Sequence, residues 1–205
     1  RDCACTGFLR VTRVHSHSFP APVTALDLRP GAGEHSAYAV IYIDATAGAL
    51  HAAHNPSVVA LLEGQTHALR ALVAGVDEAA LRRAYAPGKW TLAESLLHVA
   101  DCERVFSYRM VRIARGDQTP LPSFDQDAWV PNSGAGRRAL ADILTEIEAV
   151  RGATLALVRS LDDSTVSAMG TASGNPVSVR GLAWMIAGHF AHHLEITRSR
   201  YLGGV

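Results

Sequence analysis

The chain has little cysteine, no net charge and no long apolar run, and each shortage excludes something. Cys3, Cys5 and Cys102 are too few for a disulfide framework, so a reducing, cytoplasmic setting is expected. Lys and Arg number 19 and Asp and Glu 19. That balance lacks the basic excess of a nucleic-acid binder and the acidic excess that attracts basic partners. No apolar stretch approaches the roughly 20 residues of a membrane span. The best candidate, residues 37–50, is too short and carries Asp44. The N-terminus has no basic start, apolar stretch and small-residue cleavage site in the order of a signal peptide. A serine triad, a phosphate loop, a dinucleotide fingerprint and an internal repeat are also missing.

What is present is an apolar fraction of 48%, enough for one ordinary core in 205 residues. It is patterned unevenly. Residues 1–54 hold short apolar pieces, Phe8 to Val14 and Tyr38 to Ile43, separated by Pro, Gly and Ser. The second piece could be a strand, but no clear hairpin partner follows. The first methionine is Met110. The chain therefore reads as a fragment, as one begun at an unusual codon, or as one translated with upstream sequence. Residues 1–54 are expected to be a non-helical extension, poorly ordered or not native, with a small β appendage as the alternative.

From residue 55 the pattern is helical. Asn55-Pro56 reads as a helix start, with Asn as the cap and Pro at the first helical position. Val59, Leu62, Leu69, Leu72 and Val73 follow at helical spacing. Thr91-x-x-Glu94 fits a capping box, and the helix it opens should run to about Arg115, before Gly116. A third helix is expected over about residues 137–161. Residues 162–177 read as a loop, and a last helix, capped by Ser178, should extend to about Tyr201. Four amphipathic helices with no confident strand predict an all-α, antiparallel four-helix bundle over residues 55–205.

Ten histidines are present. Those at 15, 17, 35, 51 and 54 lie in or beside the extension and receive no role; His67 reads as a surface or half-buried residue. His189 and His193 are four apart, on one helix face, where two imidazoles can converge on one ion. A His189/His192 pair ranks second. The third ligand should come from a facing helix, and His98 is the one histidine inside the second long helix. Three neutral imidazoles suit zinc, nickel, copper or iron(II) and leave positions open for water or substrate. Cys102, four residues from His98, is a candidate fourth ligand, though a lone helical cysteine is more often a small buried hydrophobe. Asp101 and Glu195 read as surface charges, and Arg180 and Arg198 as solvated.

The order of these features resembles the DinB-like family of four-helix metal-binding proteins, which is unrelated to the polymerase of that name. The matching stretches are Pro87-Gly88-Lys89-Trp90-Thr91-Leu92-Ala93-Glu94-Ser95-Leu96-Leu97-His98-Val99-Ala100-Asp101 and Ile186-Ala187-Gly188-His189-Phe190-Ala191-His192-His193. The resemblance covers about residues 55–202. It implies that one divalent transition metal, zinc before nickel or iron, is held by His98, His189 and His193. It also implies a small-molecule substrate and allows a homodimer. Transferases that use a low-molecular-weight thiol lead the implied activities. A metal-dependent hydrolase follows, and a non-catalytic metal-binding or interaction bundle is the third reading. The family position after the first C-terminal His is often acidic, where this chain has Phe190. Trp90 matches the family's Trp and is expected to be a core anchor. Phe124 and Trp129 are expected to close the bundle end rather than line a pocket.

Overall fold

The computed structural model describes residues 24–203. Cys3, Cys5, His15, His17 and the Phe8 to Val14 piece lie outside them. Eight α-helices follow in order: α1 (Val40–Ala52), α2 (Val58–Leu72), α3 (Glu78–Leu81), α4 (Leu92–Ala114), α5 (Gln126–Trp129), α6 (Leu140–Arg159), α7 (Asp163–Val166) and α8 (Val179–Ile196). A hairpin, β1 (Met169–Ala172) and β2 (Asn175–Ser178), precedes α8. No helix among the described residues is long and apolar enough to cross a membrane.

Helices α2, α4, α6 and α8 form the expected bundle. Arg70 reaches Glu148 and Arg159 reaches Glu63, so α2 and α6 run antiparallel. Ser95 meets His193 and His98 meets His189, so α4 and α8 do too. Glu103 pairs with Arg151 and Ser107 with Thr154, so α4 and α6 run parallel. The helices α2 and α4, and α6 and α8, are thus diagonal, while α4 and α6 are parallel neighbours, which the lengthy connection between them permits. The caps act as read at two starts. Glu94 N–H donates to Thr91 Oγ at 3.2 Å while Glu94 Oε2 accepts from Thr91 N–H at 2.7 Å. Ser178 Oγ accepts from Gly181 N–H. At α2 the cap is Ser57, and Asn55 instead accepts from Ser57 N–H.

Two expectations are corrected. The segment 24–54 is not a non-helical extension: α1 lies antiparallel along α8. Thr46 Oγ donates to Trp184 O at 2.7 Å, Trp184 Nε1 donates to Leu26 O at 2.9 Å, and Glu34 pairs with Arg180 at 2.6 Å. Arg180 is therefore not solvated. Close approach of the helices is allowed because α8 carries glycine where they touch. An added Cβ at Gly188 would overlap the carbonyl oxygen of Tyr42, and one at Gly181 that of Glu34. The loop 162–177 is in part the β1–β2 hairpin. Its two-residue turn, Ser173-Gly174, has φ of +51° and +74°, the sign pattern of a twist-matched hairpin turn.

The apolar interior falls into two clusters. One takes Cys102 to Ile113 from α4 and Val179 to Ala187 from α8; the other takes Leu92 to Ala100 and Phe190. His98, His189, Gln65, Glu103 and Arg151 sit at the seam between them, forming a buried polar layer across the bundle.

Candidate metal centre

Helix geometry places the three histidines. His189 and His193, four apart on α8, lie with ring centres 4.6 Å apart and their planes tilted by 58°. His98, on antiparallel α4, faces both, with ring centres 5.1 and 5.0 Å away. One ring nitrogen from each lies within 4.8 Å of the other two. His98 Nε2 and His189 Nε2 are 3.1 Å apart. All three rings are buried, and burial disfavours their charged forms. His98 is pulled down to about 4 by desolvation, opposed by the Asp127 carboxylate. His193 falls to about 3 through desolvation, then the neighbouring His98 and His192. His189 lies well below its ordinary value for the same reasons, with His193 foremost among its neighbours. At neutral pH the site is thus a cluster of uncharged nitrogen donors. That donor set fits a divalent transition ion. Ser95 Oγ lies 3.2 Å from His193 Nδ1. When Nδ1 carries the proton and Ser95 accepts it, Nε2 is left free to ligate.

The profile of the DinB superfamily matches residues 61–197. The chain belongs to the DinB superfamily. A curated relative, "Putative metal-dependent hydrolase OB0413" of Oceanobacillus iheyensis, is 25% identical over 140 residues, covering 64% of this chain and 78% of that protein. The solved structure of YfiT from Bacillus subtilis, described as a probable metal-dependent hydrolase with an unusual four-helix bundle topology, superposes with a TM-score of 0.63. That match spans 69% of this chain and 85% of YfiT at 20% identity, and shows a shared fold.

Other residues of this DinB chain sort clearly around the triad. His192 stands beside it, edge-on to Tyr42 and His193, and offers no ligand to the cluster. Cys102 Sγ is 3.6 Å from both ring nitrogens of His98 but falls outside the group of mutually close donors. Burial, then the Asp101 charge, pushes its thiol up to about 12, partly offset by Arg109. Asp101 and Glu195 pair with Arg104 and Arg198 at the surface, as expected. Phe190 points into the core with the Arg151 guanidinium 4.6 Å from its ring centre, so its apolar character serves packing. Trp90 is not a core anchor. It is half-buried, its ring 4.8 Å from His98.

Two cavities reach the triad. A pocket of about 280 Å³ touches His98 and His189 and is walled by Tyr38, Tyr42, Cys102, Phe106 and Phe124. A second, of about 560 Å³, touches His193 and is walled by Trp90, Ser95, Asp127 and Tyr201. The segment around α5 separates them, with Gln126 on one side and Asp127 on the other. Phe124 lines the first pocket, while Trp129 stacks on Phe124 from outside. Tyr38 and Tyr42 come from the segment before the family match. Sequence reading missed them, along with Ser95. Ser95 alone carried a local signal, being three residues before His98 on the same helix face.

Proposed function

We propose that the protein is a metal-dependent transferase that uses a low-molecular-weight thiol, with a divalent transition metal held by His98, His189 and His193. Zinc is the first choice, with nickel or iron as alternatives. The observation that carries this reading is the pair of cavities meeting the triad from different sides. A two-substrate reaction needs two places to bind, one for the thiol and one for the electrophile. When bound, the ion supplies a Lewis-acid position that lowers the pKa of a thiol or of water. The chain's own residues do the rest. Ser95 sets the His193 tautomer. The aromatic walls of the smaller cavity exclude water and hold an apolar body. Asp127, exposed at the mouth of the larger cavity, is placed to accept a proton from an entering nucleophile.

A second reading, metal-dependent hydrolysis, is favoured by the names of the relative from Oceanobacillus iheyensis and of YfiT. The first measurement is metal content by elemental mass spectrometry on protein without an affinity tag. About one ion per chain is expected in the wild type, lost in His98→Ala and in His189→Ala. A folded wild type that takes up no zinc, nickel or iron(II) would overturn the metal centre. With metal in place, an electrophile panel is assayed with and without a small thiol. Product that incorporates the thiol supports transfer, and turnover with water alone supports hydrolysis.

A further inference from the structure

Lys89 is the only lysine of the sequence. Every ion pair formed among the described residues has an arginine as its cation, and Lys89 forms none there. Its backbone is nonetheless firmly placed. Ala86-Pro87-Gly88-Lys89 is a tight turn in which Lys89 N–H donates to Ala86 O at 3.2 Å and Gly88 has φ of +72°. Pro in the second place and a left-handed Gly in the third suit a type II turn. The flanks are paired as well: Ala84 bridges Thr91, and Leu92 N–H donates to Arg83 O at 3.2 Å. Tyr201 Oη donates to Trp90 O at 2.7 Å, and Arg83 Nη2 donates to Tyr201 O at 2.7 Å. Trp90 in turn meets His98, with ring centres 4.8 Å apart. One short, braced turn thus presents a lone cation next to the aromatic wall of the triad.

The turn opens on the larger of the two cavities. Lys89 lines it with Tyr85, Trp90, Asp127 and Tyr201, and His193 is its contact with the triad. Lys89 is exposed and His193 is buried, so the cavity runs from a solvent-facing ammonium to a buried nitrogen donor. Asp127, the carboxylate of the same wall, does not pair with Lys89; its charge acts on His98. The smaller cavity has no Lys, Arg, Asp or Glu in its wall. One cavity therefore carries charge and the other is aromatic and uncharged. A lysine suits a cavity mouth, because its ammonium is a compact charge with three donors on a flexible stem.

We propose that the larger cavity is the thiol's place, and that the thiol carries a carboxylate that Lys89 binds while its sulfur reaches the triad. The uncharged smaller cavity is left to the electrophile. Lys89 is a specificity residue that selects an acidic thiol over a neutral one. The inference rests on the reading of the protein as a thiol-dependent transferase.

The test is calorimetric titration of N-acetylcysteine and its neutral amide, N-acetylcysteinamide, into zinc-reconstituted protein. The quantity read is the ratio of the two affinities in each variant, so a difference in thiol acidity cancels. Lys89→Met keeps the apolar stem and removes the charge. It should shift the ratio toward the amide by about three- to fivefold, the upper range for one solvent-facing charge pair. Lys89→Arg should stay close to wild type, and Lys89→Glu should shift the ratio further than Lys89→Met. Added salt should narrow the gap between wild type and Lys89→Met. If both thiols bind and Lys89→Met leaves the ratio unchanged, the proposal is overturned and the thiol reading stands. Binding of neither thiol, or equal binding to zinc-loaded and metal-free protein, overturns the thiol reading and the proposal with it. A ratio shifted equally by Lys89→Arg and Lys89→Met means that shape rather than charge is read, and also overturns the proposal. Lys89 is exposed, so the variants should fold as the wild type does; if one does not, the other two decide.

Discussion

At the scale of single residues, the triad is defined by what surrounds it. The imidazoles of His98 and His193 titrate near 4 and near 3 in the folded chain, against about 6.5 when exposed. The folded state therefore binds fewer protons than the unfolded one between those limits, and its stability rises with pH there. The contribution is fully present above about 6.5 and is lost as pH falls toward the folded values. Thermal melts of metal-free protein between pH 7.5 and 5 should show the midpoint dropping with acid, with a shallower slope in His98→Asn. An unchanged slope would mean that the buried imidazole is not the group being titrated. Bound metal should leave in the same direction, because protonation competes for the same lone pairs. Ser95→Ala should preserve the fold and weaken metal affinity by about 10–100-fold, the usual effect of losing a group that orients a ligand. Cys102→Ala should leave affinity unchanged, since a thiol pushed up to about 12 and outside the donor group is a poor ligand. A large loss there would instead point to a closed, structural site.

At the scale of elements, legibility followed periodicity. Helices α2, α4, α6 and α8 were readable because each carries an apolar stripe and most have a recognisable cap. The clustering of the three histidines was readable because a helix converts a spacing of four into one face. Helix α1 was not readable. The run from Tyr38 to Ile43 could be a strand, and the apolar residues of α1 are spread all round, with Ile41 exposed and Ile43 buried. Its stability comes from the seat that glycines provide on α8, a contact between positions 146 apart in the chain. The hairpin was hidden because Ser173-Gly174 is a weaker turn signal than Asn-Gly. The partnership of α1 with α8 is testable through Gly188. Gly188→Ala places a methyl against the Tyr42 backbone, which cannot move aside as a flexible side-chain end can. A loss of about 1–3 kcal/mol in urea unfolding is expected, as for overpacking elsewhere. Tyr42 should also withdraw from His189, whose ring it meets edge-on at 5.2 Å. A stability change within a few tenths of a kcal/mol would mean that α1 is only loosely attached.

At the scale of the whole molecule, the polar layer joins all four bundle helices behind the triad. Arg151 on α6 holds Glu103 on α4, and its Nη1 donates to Leu62 O and to Gln65 Oε1 on α2. Gln65 Nε2 donates in turn to Ala187 O on α8, at 2.7 Å, two residues before His189. The Arg151 guanidinium also covers Phe190, the residue after it. An ion pair this deep is weak grounds for stability, because desolvation offsets most of its attraction. What it supplies is a set of hydrogen bonds that link the histidine-bearing turn of α8 to the other three helices. Breaking the pair and replacing it should therefore have separable effects. Arg151→Met leaves the Glu103 carboxylate buried without a partner and should cost about 3–5 kcal/mol. The double variant Arg151→Met with Glu103→Leu removes both charges and should recover most of that loss. If the layer positions the site, the double variant will fold yet bind metal more weakly than wild type, since Gln65 loses its anchor and Phe190 its cover. Wild-type affinity in a stable double variant would assign the layer to folding specificity alone and leave α8 held by its apolar face.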